Sequence, residues 1–182
     1  MSEPIGRLEQ LGTLFKTAND QLIIAGIAAL RAAEVSGGVI KMIAVLYEET
    51  GSDDVKSEIS KFLNDIKDNV IAGEVVEAID EAGSEETRQA LISSCWQSGI
   101  DYSAYITSFI EYSLKGNYMI ALECYSVIEQ TAPLVEDNIR ILCIEKIRSS
   151  MESQPPEKIK LLEETIRALS YPIELKESIH YS

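Results

Sequence analysis

The segment Gly51-Ser52-Asp53-Asp54-Val55-Lys56-Ser57-Glu58-Ile59 returns 32 residues later as Gly83-Ser84-Glu85-Glu86-Thr87-Arg88-Gln89-Ala90-Leu91. A recurrence at roughly 20 to 50 residues marks stacked supersecondary units, each too small to bury its apolar face without its neighbours. The echo extends beyond the turn itself. Ile43 has equivalents at Val75 and Ile106, Leu46 at Ala78 and Phe109, and Tyr47 at Ile79 and Ile110. On the segments that follow, Ile59 matches Leu91 and Cys124, and Leu63 matches Cys95 and Ile128, so apolar character recurs in register every 31 to 33 residues.

Within each copy the apolar residues are spaced by three and four, and alternation at a period of two is almost absent. That pattern predicts helix throughout. Turn residues punctuate it at Asn19-Asp20, Ser36-Gly37-Gly38, Gly51-Ser52-Asp53, Asp68-Asn69, Gly83-Ser84, Gly99-Ile100-Asp101, Lys115-Gly116-Asn117, Ala132-Pro133 and Gln154-Pro155-Pro156. Ten helices in five pairs follow, over about 4–17 with 19–34, 38–50 with 53–67, 70–82 with 85–98, 102–114 with 117–131, and 135–152 with 156–169. Pro4 falls in a first turn, where its missing N–H costs nothing. From Tyr171 the chain has a proline and little periodicity, which predicts a loop or short capping segment. The expected organisation is one helical-repeat domain over 1–170 and a C-terminal tail over 171–182.

The acidic turns have a structural explanation. Ser52 and Ser84 are placed to cap the helices they precede, and Asp53, Asp54, Glu85 and Glu86 then meet the positive ends of those helices. Gly51 and Gly83 are expected to release the preceding helix through a left-handed residue. Val55 and Thr87 interrupt the oxygen ligands that a calcium loop needs.

Hairpins with an apolar first helix such as Val39-Ile40-Lys41-Met42-Ile43-Ala44-Val45-Leu46, a short acidic turn, and then Lys56 or Arg88 early in an apolar second helix resemble HEAT or armadillo-like repeats, over roughly residues 36–131. The resemblance implies an all-α fold, a right-handed α-α superhelix (solenoid) of about five antiparallel helix pairs. It also implies a surface for partners rather than a vessel for chemistry.

The formal net charge of -14 narrows the partner. Binding to DNA or RNA depends on neutralising phosphates with Lys and Arg, and the bases here do not cluster, so no nucleic-acid ligand is expected. The apolar stretch from Leu22 to Ala33 is short and contains Arg31, as in a buried helix rather than a membrane span. Met1-Ser2-Glu3-Pro4 lacks the basic start of a secretory signal. A cytoplasmic location with reduced core thiols at Cys95, Cys124 and Cys143 is the expectation.

Candidate chemistry is sparse. His180 is the one histidine, which leaves no Ser-His-Asp or Cys-His arrangement near other candidate groups. The cysteines are too far apart for zinc-ligand spacing, and Ser36-Gly37-Gly38-Val39 lacks the lysine and hydroxyl of a phosphate loop. No cofactor or metal is expected. Glu74, Glu77 and Asp80 or Glu81 share a helix face, and such acids hold magnesium in all-helical nucleotide pyrophosphohydrolases. That family needs a second acidic helix, and a solvated face is the competing explanation.

The second helices carry the more informative difference between copies. Register sets Ser60 and Asn64 beside Ile92 and Trp96, then beside Tyr125 and Glu129. Ile92, Trp96 and Tyr125 are therefore the predicted partner-binding anchors, unless Trp96 packs against the next repeat. Tyr102, Tyr105, Tyr112 and Tyr118 gather aromatics in the fourth pair, for packing or for a cationic ligand. The functional reading is a non-enzymatic protein-interaction module for a protein or peptide, basic in character. Its alternatives are a small acidic inhibitor or immunity protein for a basic enzyme, and the magnesium-dependent pyrophosphohydrolase.

Overall fold

A computed structural model describes the backbone over residues 3–17, 19–31 and 37–180, and side chains over 9–17, 19–31 and 37–171. The described residues form ten α-helices and no strands. They run as α1 (Glu3–Phe15) and α2 (Asp20–Arg31), α3 (Val39–Glu49) and α4 (Asp53–Asp65), α5 (Ala72–Glu81) and α6 (Glu85–Ser98). The remaining pairs are α7 (Ile106–Lys115) with α8 (Tyr118–Thr131), and α9 (Asp137–Ser150) with α10 (Pro156–His180). Helix α10 continues past Pro172 to His180, where the sequence predicted a loop. A proline inside a helix forfeits a backbone hydrogen bond, but it need not stop a helix that earlier turns have already nucleated.

The chain divides into two compact units, Met1–Ile100 and Asp101–Ser182. In the first, α1, α3 and α5 pack in succession as one layer, α2, α4 and α6 pack as the other, and hairpin contacts join the layers. In the second, α7 packs on α9 and α8 on α10, again joined within each hairpin. First helices stacking on first helices and second on second is the helical-repeat architecture.

The register read from the sequence describes the interior. Ile43, Val75 and Ile106 are 0%, 2% and 1% exposed, and Ile59, Leu91 and Cys124 are 0%, 2% and 0%. Burying an aliphatic side chain of this size stabilises by roughly 1.5–3 kcal/mol, so these rows hold the layers together.

The serine caps form as expected. Ser52 Oγ accepts from the Val55 amide at 3.4 Å and Ser84 Oγ from the Thr87 amide at 3.1 Å; Asn117, read from the sequence only as a turn residue, caps α8 likewise through the Ile120 amide at 3.0 Å. The glycines before the serine caps act differently from expectation. Among the described residues only Gly38 and Gly99 have positive φ, and α3 and α5 end through the extended residues Thr50 and Ala82. Gly83 instead lies against the Glu48 carboxylate, which a side chain there would displace. Glu48 Oε2 accepts from its amide at 3.1 Å, and a Cβ there would lie 2.4 Å from Glu48 Oε1.

Candidate functional site: a groove between α8 and α10

Helix α8 turns Ile120, Ala121, Cys124, Val127 and Ile128 into the core. That leaves Tyr125, half-buried, and Glu129, exposed, one turn apart at the margin of the helix. On α10, Leu161, Leu162, Thr165 and Leu169 are buried, which leaves Glu164, Arg167, Ala168 and Tyr171 on the opposite margin. The two margins and Pro133 enclose an open groove of about 630 Å3 within the second unit.

Buried cations fix the walls. The Arg140 side chain is 1% exposed, and its guanidinium donates to Ala132 O at 2.9 Å, to Val135 O and to Asp137 Oδ1. It thereby holds the turn that presents Pro133. Lys158, 3% exposed, donates to Leu114 O at 3.0 Å and to Gly116 O at 2.9 Å, tying the start of α10 to the end of α7. Burial pushes the Lys158 ammonium below its usual pKa. Gly116 lets the start of α8 close against the end of α7, since a Cβ there would meet Ile120 Cγ2 at 2.5 Å and Tyr112 O at 2.9 Å.

The polar groups of the groove are coupled. The Tyr125 hydroxyl donates to Glu129 Oε1 at 3.0 Å, and Arg167 Nη1 donates to Glu164 Oε1 at 2.8 Å. Burial raises the Tyr125 pKa above its usual value, and the hydrogen bond to Glu129 and the charges of Glu129 and Glu164 raise it further. Both carboxylates thus act on the same phenol. The surface offers rings, apolar carbon and two acids, a combination suited to an organic cation.

The residues predicted from the sequence are placed unequally. Ile92 is 0% exposed and belongs to the core. Helix α6 packs against α3, α4 and α5 and buries Thr87, Leu91, Ile92, Ser94, Cys95 and Ser98, an arc wider than the narrow seam the register implied. Trp96 is half-buried in the first unit, and Tyr125 is half-buried in the second. The structure joins Tyr125 instead to Glu129, the register equivalent of Trp96 and Asn64. Glu164, Ile166 and Tyr171 escaped notice because the fifth pair lies outside the aligned copies, although the spacing of Glu164, Arg167, Ala168 and Tyr171 marks a helix margin.

Other candidates have structural duties. Glu74 Oε1 accepts from the Ile40 amide at 3.0 Å, capping α3 from α5, and Glu81 accepts from Lys41 at 2.8 Å. Those acids work as fasteners between neighbouring hairpins. Tyr102 is 1% exposed and meets Phe109 edge-on at 5.7 Å, and Phe109 meets Tyr112 likewise at 5.8 Å, so Tyr102 and Tyr112 are packing residues. Tyr118, 42% exposed, stands outside that stack. The first unit has a smaller hollow of about 320 Å3 between α1 and α3, floored by Phe15, Met42, Val45 and Leu46.

No family model matches the sequence, and no curated protein matches it. Among solved structures, a designed armadillo repeat protein is similar at 15% identity, over 90% of this chain and 82% of its own, with a TM-score of 0.44. Among the described residues no helix is long and apolar enough to cross a membrane.

Proposed function

We propose that this chain is a non-enzymatic helical-repeat module that receives a basic segment of a protein partner. The observation that carries the reading is where the cations go. Arg88 donates to Ile79 O and Ala82 O, Arg140 and Lys158 lie buried on backbone carbonyls, and Lys41 and Lys56 pair with Glu81 and Glu86. Arg31 pairs with Glu58 and Asp65, while Lys115 and Lys146 share Glu111. Much of the positive charge is therefore committed to joints within the molecule. Exposed acids such as Glu49, Asp53, Asp54 and Glu77 remain to face a partner.

A surface of this kind speeds encounter with a basic segment and rejects acidic ones more than it adds final affinity. The test is fluorescence anisotropy with a labelled Lys/Arg-rich peptide and a neutral peptide of the same length. Binding of the basic peptide that weakens as salt is raised supports the reading. Equal binding of both peptides, or of neither, contradicts it.

A further inference from the structure

The α8/α10 groove gathers two carboxylates and two tyrosine rings around one open space. Glu129 stands where the equivalent positions of the first unit have Asn64, which is neutral and engaged with Gln97 Oε1 at 2.8 Å, and Trp96, also neutral. Glu164 stands opposite on α10, with Tyr125 and Tyr171 lining the space between. Its volume of about 630 Å3 lies in the range of sites that hold a ligand of several functional groups.

We propose that this groove seats an arginine side chain of the partner segment, with its guanidinium taken by Glu129 and Glu164 and its flat face against the tyrosine rings. The proposal rests on the reading of the chain as the receiver of a basic segment, and it names the site and the residue. Arginine suits the walls better than lysine, because a planar guanidinium forks onto carboxylates and stacks on rings at once, whereas an ammonium is a compact hydrated charge. A second copy of this chain is a poor occupant, since each copy carries a net charge of -14.

The structure already holds an intramolecular counterpart of that guanidinium. Arg167 reaches Glu164 from one turn along the same helix, and its side chain is 72% exposed. An exposed pair at this spacing is weak and easily exchanged. Arg167 therefore competes with the incoming arginine for Glu164 and sets the threshold for its entry.

Isothermal titration of the full chain with an arginine-serine peptide and its lysine-serine counterpart tests the assignment. The arginine peptide should bind more tightly than the lysine peptide. Glu129→Gln with Glu164→Gln should weaken arginine-peptide binding by about tenfold or more, as expected for losing charge-assisted hydrogen bonds. Tyr171→Ala should weaken it several-fold. Arg167→Ala should tighten it, a gain that misfolding cannot mimic. Binding of the arginine peptide that is untouched by the double substitution and by Arg167→Ala overturns the groove assignment while leaving the basic-segment reading intact. Failure of wild type to bind either peptide overturns both.

Discussion

The two units are built from the same two-layer stacking but fasten their helix ends differently. In the first, carboxylates reach across hairpins to backbone amides, Glu74 to Ile40 and Glu48 to Gly83, and the cations on carbonyls are accessible: Lys67 is exposed and Arg88 half-buried. In the second, Arg140 and Lys158 are almost wholly buried on the carbonyls they satisfy. Burial decides what each joint is worth. A cation removed from a buried carbonyl leaves that acceptor without water, while solvent takes the place of exposed Lys67 at little cost and of half-buried Arg88 only in part.

The largest effect should come from Arg140→Met. It strips the Ala132 and Val135 carbonyls of their donor and should cost about 3 kcal/mol in urea unfolding, with a matching loss of the turn that carries Pro133. Lys158→Met should follow at about 2 kcal/mol, because Leu114 O and Gly116 O lose one shared donor whose charge was itself costly to bury. A change near zero for either would show that the second unit does not depend on its buried cations.

Glu74→Ala probes the other style of joint. It should cost about 1 kcal/mol, the usual worth of a helix cap, and differential scanning calorimetry would register a modest drop in Tm. Glu111→Gln should be smallest, at about 0.5 kcal/mol after allowing for solvent screening, and less in high salt. Lys146 first and Lys115 second hold the Glu111 carboxyl down to about 2 from 4.5. Its folded pKa is depressed, so its contribution is present above pH 4.5 and fades as pH falls from there toward 2. An NMR titration of this carboxyl with a midpoint near 4.5 would remove the ion-pair account.

Much of the fold was legible because it is periodic. The rows through Ile43 and Ile59 recur in register, and a buried row is what apolar spacing encodes. Burial at Ile92 was not legible for a related reason: it depends on how many neighbours α6 has, which no spacing within α6 reveals. Glycine roles were misassigned at Gly83, since the sequence cannot distinguish a left-handed cap from a close approach by Glu48. The groove was legible in one half only. Tyr125 stood out against its register equivalents, but its partners on α10 belong to a hairpin that the repeat does not align.

The central claim is that cations hold the fold while acids face the partner, and it is best tested by arginine-peptide affinity measured with urea midpoints on two variants. Arg88→Met removes a joint of the first unit at a residue that does not line the groove, and Glu129→Gln with Glu164→Gln removes charge from the groove itself. The account predicts that Arg88→Met lowers the midpoint and leaves Kd unchanged, while the double substitution leaves the midpoint unchanged and raises Kd about tenfold or more. If Arg88→Met weakens binding as much as the groove substitution does, positive and negative charges are not divided between fold and partner, and the claim is wrong.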